Sequence, residues 1–183
     1  MKVHATPLPG LLLIEPDVHR DARGYFLETH HQARYAEAGV TGPFVQDNLS
    51  HSVRGTLRGL HAQLAPRAQG KLVRAVDGEM FDVAVVIRRG SPTFGRWFGT
   101  VLSGDNLRQL WIPSGFAHGF CVLSERIHVE YKCTDYYAPE HEIVVRWDDP
   151  AIGIEWPAAE PLLSGRDAVA PRLAELGEKL PAY

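Results

Sequence analysis

Short runs of strand-forming residues, each closed by glycine, proline or an Asp/Asn turn, leave this chain few folds other than packed antiparallel sheets. Leu11 to Glu15, Tyr25 to Glu28, Lys71 to Val76, Met80 to Ile87 and Trp97 to Leu102 are such runs. Gln109 to Ile112, Gly119 to Leu123, Arg126 to Cys133 and Ile143 to Trp147 complete the series. Short strands with turn signals between them predict an all-β sandwich or barrel. The 17 glycines and 13 prolines are spread along the chain, so nothing reads as a linker, and residues 1–183 are expected to form a single domain. A chain of this size hides about 70% of its unfolded surface, enough for a core without staples.

Local signals add detail. Asp77-Gly78 between two apolar runs predicts a tight hairpin, because both residues tolerate positive φ. Ser103 to Asn106 and Asp148 to Pro150 predict further turns. Over Ile127 to Cys133 the period is two. Ile127, Val129, Tyr131 and Cys133 share one face, which points the Tyr131 phenol into whatever the sheet encloses. Thr29 to Gln32 has capping-box form, predicting a short helix over residues 30–38 that ends at Gly39. Leu173, Leu176 and Leu180 form a stripe that predicts a second helix over 170–179, with Pro171 in its first turn.

Charge narrows the function. Nineteen basic against 22 acidic side chains give a net charge of −3, so there is no basic excess to gather a nucleic-acid backbone. No apolar run reaches the roughly 20 residues of a membrane span. Met1 to Pro7 lacks the long apolar stretch of a secretory signal, and two cysteines make no disulfide framework. A cytoplasmic location is expected.

Two polar constellations stand out. In Leu57-Arg58-Gly59-Leu60-His61-Ala62-Gln63 a cation and an imidazole lie three residues apart. Strict strand alternation puts them on opposite sides, unless a bend at Gly59 changes the register. Histidine can take a proton near neutrality. Arg23, Arg58, Lys71 and Arg74, with His118, would suit two phosphate groups held by side chains, since no glycine-rich phosphate loop is present. Tyr131, Tyr136, Tyr137 and Trp147 crowd the same C-terminal stretch. They serve either as packing or as a surface for a flat base with one phenol left free as an acid.

Pro113-Ser114-Gly115-Phe116-Ala117-His118-Gly119 resembles the second motif of the cupin superfamily, whose members are small jelly rolls. The first cupin motif, His-x-His with a glutamate, has no counterpart here: Gln63 stands two residues past His61. The fold is therefore expected without a metal, because a three-ligand site would lack its partners. A metal-dependent cupin is the reading set aside on that ground.

Over nearly its whole length the sequence resembles the dTDP-4-dehydrorhamnose 3,5-epimerase family. The motifs run in order from Asp21-Ala22-Arg23-Gly24-Tyr25-Phe26-Leu27-Glu28 and Phe44-Val45-Gln46-Asp47-Asn48 to Leu57 through Gln63. Gln69 through Arg74, Gly78 through Val85 and Gly90 through Gly95 follow. Then come Gln109 through Pro113, Gly115 through Phe120, Tyr131-Lys132 and Leu163 through Asp167. The resemblance implies a cofactor-free, metal-free cupin-type jelly roll (a double-stranded β-helix), normally a homodimer. It implies conversion of dTDP-4-dehydro-6-deoxy-D-glucose to dTDP-4-dehydro-L-rhamnose through enolates at C3 and C5. By the same resemblance His61 is the base, Asp167 its orienting partner, Tyr131 the opposing acid, and Lys71 the cation beside the enolate. Arg23, Phe26, Glu28, Gln46, Asp47, Asn48, Arg58, Lys71, His118, Glu142 and Arg166 match positions that hold the nucleotide-sugar, and Tyr137 matches the aromatic that stacks on thymine.

Val86 and Leu49 depart from the family pattern, where an aspartate and a histidine are usual. They leave a C3-only epimerase of another deoxysugar pathway as the alternative. A nucleotide-sugar-binding jelly roll without catalysis is the alternative from a different class.

Overall fold

The structure, a computed structural model, describes residues 1–183. The elements in chain order are β1 (Lys2–Ala5), β2 (Leu12–Glu15), β3 (Val18–Asp21), β4 (Gly24–Leu27), α1 (Gln32–Glu37), β5 (Gln46–Val53), β6 (Leu57–Gln63) and β7 (Lys71–Asp77). Then follow β8 (Glu79–Val86), β9 (Trp97–Ser103), β10 (Gln109–Ile112), β11 (Phe116–Val122), β12 (Arg126–Cys133), β13 (Glu142–Val144), α2 (Gly165–Ala168) and α3 (Leu173–Leu176). Antiparallel strands build a six-stranded sheet, β1-β2-β10-β7-β12-β5, and a five-stranded sheet, β13-β6-β11-β8-β9. A separate β3-β4 ribbon completes the set. The two large sheets face each other as a cupin jelly roll, as expected. No helix is long and apolar enough to cross a membrane.

Three apolar clusters follow from strand alternation. Between the sheets, Val73 and Ala75 of β7 and Ile127 and Val129 of β12 meet Met80, Ala84 and Val86 of β8 and Phe116 and Phe120 of β11. The alternate residues of β8, Val83 and Val85, face outward and are covered by Ile152, Leu173, Leu176 and Leu180. Strand β8 is thus buried on both faces, which explains its nearly unbroken apolar run. On the outer side of the six-stranded sheet, α1 lays Tyr35 over Ile14, Leu72 and Trp111.

Several expectations are corrected. Asp77-Gly78 is not a hairpin. Strand β7 pairs with β10 and β12, whereas β8 pairs with β11 and β9, so the turn carries the chain from one sheet to the other. The apolar faces of both strands must meet in one core, which places them opposite each other and not side by side. Gly78 has φ +70, and a Cβ there would lie 2.3 Å from the Arg126 carbonyl oxygen. Helix α1 starts at Gln32 with His31 as its cap; the Thr29 carbonyl is instead taken by the Tyr35 hydroxyl at 3.0 Å and Gln109 Nε2 at 2.8 Å.

In place of one helix over 170–179 there is only α3 followed by a 3-10 turn at Gly177–Lys179, and Pro171 lies ahead of the first turn, not in it. The leucine stripe does face the core. The final run is shorter than expected, ending as β13 at Val144, because the Arg146 amide turns to the Pro171 carbonyl.

Candidate active site

At one end of the sandwich the inward-facing positions turn polar and line a cavity of about 360 Å³. From the six-stranded sheet come Gln46, Asn48 and Ser50 of β5, Lys71 of β7 and Tyr131 of β12. From the five-stranded sheet come Arg58 and His61 of β6, His118 and Phe120 of β11 and Glu142 of β13. Gln69, Tyr137 and Arg166 close the rim. His61 and Tyr131 therefore belong to opposite walls of one cavity.

A bulge makes this possible on β6. His61 pairs with His118 and Arg58 with Phe120, so three residue steps on β6 match two on β11. The extra residue returns Arg58 to the same face as His61, against simple alternation. Gly59 makes the bulge fit: its φ is +135, and a Cβ would meet Gly119 Cα at 2.5 Å.

Two histidine–aspartate pairs lie side by side. His61 Nε2 is 2.7 Å from Asp167 Oδ1, and His118 Nε2 is 2.7 Å from Asp82 Oδ1. Asp167 is presented by α2, whose N-cap Ser164 accepts the Asp167 amide at 3.1 Å. Burial raises the Asp167 pKa, but the bond from His61, its charge, and the Ser164 and Gly59 contacts outweigh this and hold the carboxyl below its usual range. An ionised Asp167 accepts the Nε2 hydrogen, which in the neutral form of the ring puts the lone pair of His61 on Nδ1.

Across the cavity, burial pushes the Tyr131 phenol above its ordinary pKa, with Cys133 adding to the shift, so it stays protonated. Burial lowers the pKa of the Lys71 ammonium, with Cys133, Glu142 and Asp82 opposing the shift. Arg166 bonds Glu142 at 2.6 Å, and the Tyr137 hydroxyl donates to the same carboxylate at 2.9 Å. Arg58 is held by Ser52 Oγ at 3.0 Å and has no carboxylate partner, so its charge remains available to an anion.

The cavity thus gathers His61, Tyr131, Lys71, Gln46, Asn48, Arg58, His118, Tyr137, Glu142 and Arg166, with Asp167 directly behind His61. Other expected residues lie elsewhere in the chain. Asp47 points to the outer side and pairs with Lys132 at 2.9 Å. Phe26 and Glu28 line a different cavity with Met1 and Tyr35. Arg23 extends from the β3-β4 ribbon, paired with Asp21. Arg74 pairs with Glu130 at 2.6 Å on the outer face and leaves the anion cluster. Both departures are also outside the cavity: Val86 is buried in the intersheet core, and Leu49 is 66% exposed.

Sequence reasoning missed Ser50, Gln69 and Phe120 on the lining and Asp82 behind His118. Strand parity with Asn48 could have indicated Ser50. Asp82, the one carboxylate in the apolar run of β8, was the signal for a buried partner.

An aspartate-backed imidazole and a phenol on facing walls, with a half-buried lysine beside the phenol, give this jelly roll the groups an isomerase that moves protons would need. The family model for dTDP-4-dehydrorhamnose 3,5-epimerase matches residues 5–175. A dTDP-4-dehydrorhamnose 3,5-epimerase of Pseudomonas aeruginosa is 56% identical over 91% of this chain and 93% of its own. The Legionella pneumophila dTDP-6-deoxy-D-glucose-3,5-epimerase, solved with dTDP-4-keto-L-rhamnose, superposes with a TM-score of 0.96. It is 51% identical, over 100% of this chain and 98% of its own. A 3'-monoepimerase of Streptomyces bikiniensis, solved with dTDP-quinovose, has a TM-score of 0.93 at 36% identity, over 98% and 93% of the two chains. The chain belongs to the dTDP-4-dehydrorhamnose 3,5-epimerase family.

Proposed function

We propose that this protein converts dTDP-4-dehydro-6-deoxy-D-glucose to dTDP-4-dehydro-L-rhamnose, inverting C3 and C5, in the synthesis of dTDP-L-rhamnose. The observation that carries the reading is the placement of His61, backed by Asp167, and Tyr131 on facing walls of one cavity. The 4-keto group acidifies the hydrogens on both neighbouring carbons. His61 Nδ1 takes one of them, and the electron pair moves onto the C4 oxygen as an enolate. Lys71 steadies that oxygen, a contribution typically worth about 3 kcal/mol for one such donor. Tyr131 then delivers its proton to the opposite face of the carbon, which inverts it. Exchange with solvent returns the proton from His61 and refills the phenol. Arg58 and His118 bind the diphosphate, and Tyr137 stacks on thymine. The two free, buried cysteines suit a reducing compartment, and we place the enzyme in the cytoplasm.

Turnover in D2O without added metal tests the chemistry. Deuterium is expected at both C3 and C5 of the product. Label at C3 alone makes the protein a monoepimerase, and label at neither removes the enolate route.

The reading extends to a homodimer. Phe26 is 70% exposed and Tyr25 50% on the β3-β4 ribbon, which also carries Arg23. Such a ribbon is a poor element in isolation. Docked on a second copy, it would carry Arg23, Phe26 and Glu28 to the partner's cavity. Co-expressed Arg23→Ala and His61→Ala chains are then expected to recover about a quarter of wild-type activity, because random pairing leaves one intact site in each mixed dimer. Absence of recovery from two individually inactive variants sinks the exchange.

A further inference from the structure

Gln63 lies on β6 two residues past His61, is 5% exposed, and does not line the cavity. Its carboxamide nevertheless reaches the segment that carries Tyr137. Oε1 accepts the Ala138 amide at 2.8 Å, and Nε2 donates to the Tyr136 carbonyl at 2.9 Å and to the Arg67 carbonyl. The Tyr136 carbonyl and the Ala138 amide belong to the two peptide groups flanking the Tyr137 Cα. The Tyr137 amide itself goes to Gln46 Oε1 at 2.8 Å.

Two glutamine side chains, one from each sheet, thus hold the backbone on both sides of a half-exposed tyrosine. Residues 134–138 belong to no helix or strand that could do so. A carboxamide this buried costs free energy unless its bonds are made, and all its bonds here are made to this loop and the neighbouring turn.

We infer that Gln63 is a positioning residue for nucleobase recognition, holding Tyr137 as a ready stacking surface before the ligand arrives. The inference rests on the reading that Tyr137 stacks on thymine. Pre-ordering a binding loop removes its ordering cost from the binding step. A loop that is competent only about a tenth of the time raises the apparent Kd about tenfold.

The test uses Gln63→Met, which keeps length and loses every bond, and Gln63→Glu, which keeps the acceptor for Ala138 and loses both donors. Both are expected to bind dTDP about tenfold more weakly and to raise KM for the dTDP-sugar by a similar factor. Inhibition by inorganic pyrophosphate should stay unchanged, and kcat should stay within about twofold. Equal weakening toward dTDP and pyrophosphate overturns the inference, since the residue then only maintains the fold. So does unchanged dTDP affinity in both variants, and so does a loss confined to kcat, which would place Gln63 behind His61. Tyr137→Ala, measured alongside, separates the two claims. If it leaves the preference for dTDP over pyrophosphate intact, the stacking reading fails and the inference with it. If it abolishes that preference while the Gln63 variants keep it, only the positioning inference fails.

Discussion

His61→Ala is expected to lower kcat about a thousandfold while dTDP affinity stays within about threefold. A positioned general base contributes roughly 10²- to 10⁴-fold, and on the proposed function His61 is that base. Its Nε2 is committed to Asp167, so the ring is fixed in one orientation and, when neutral, in one tautomer with its lone pair on Nδ1. The affinity should hold because the diphosphate and base are assigned to other residues on the rim and floor. Truncation leaves the buried Asp167 carboxylate without its main partner, so some loss of thermal stability accompanies the loss of rate. The decisive comparison is kcat against dTDP binding by calorimetry. Full turnover in His61→Ala would transfer the base to His118, which has its own aspartate and is the cross-strand neighbour of His61.

Tyr131→Phe has the second largest expected effect, and its signature differs. Product formation should fall by a factor of about a hundred or more. Substrate in D2O should still acquire deuterium, because His61 and Lys71 still form the enolate. The proton then comes back on the face from which it left, and configuration is retained. Labelled but uninverted substrate, followed by NMR, separates an acid from a residue that merely shapes the wall. A variant that loses labelling and inversion together would remove Tyr131 from the acid role. The raised phenol pKa fits that role, since a group protonated across the working range can donate at every turnover.

The same two residues show how far the sequence could be read. Tyr131 was legible: alternation over Ile127 to Cys133 put its side chain on the enclosed face, and it lies there beside Val129. His61 was legible only as a residue type. Strict alternation separated it from Arg58, and the extra residue at Gly59 brought them together. Strand β5 carries no apolar run because its inward positions, Gln46, Asn48, Ser50 and Ser52, are polar. They are polar because that part of the sandwich interior is the cavity. An inside-out pattern of this kind reads as a strand only when the pocket is already known.

The Asp77-Gly78 turn failed for a related reason. Turn chemistry reports a sharp reversal, and two partners were possible: the adjacent strand or the opposite sheet. Only burial of both apolar faces in one core selects the second. Arg74 and Asp47 lie outside the cavity by parity, since each has the parity opposite to the inward residues of its strand and ends on the outer side, paired with Glu130 and Lys132.

Local signals in the chain were sufficient for the all-β class, the apolar faces of β8 and β12, the leucine stripe of the C-terminus and the residue types of an acid–base site. These depend on backbone preference and side-chain period, which act between near neighbours. The pairing of His61 with Asp167, 106 residues away, was set by the fold. So were the placement of His61 and Tyr131 on opposite walls and the grip of Gln46 and Gln63 on the loop of Tyr137. Such contacts join segments remote in the chain: a strand with a helix, two strands with one loop, and one sheet with the other. Their geometry follows from how two twisted sheets stack and where one bulge falls, and spacing along the chain carries no record of either.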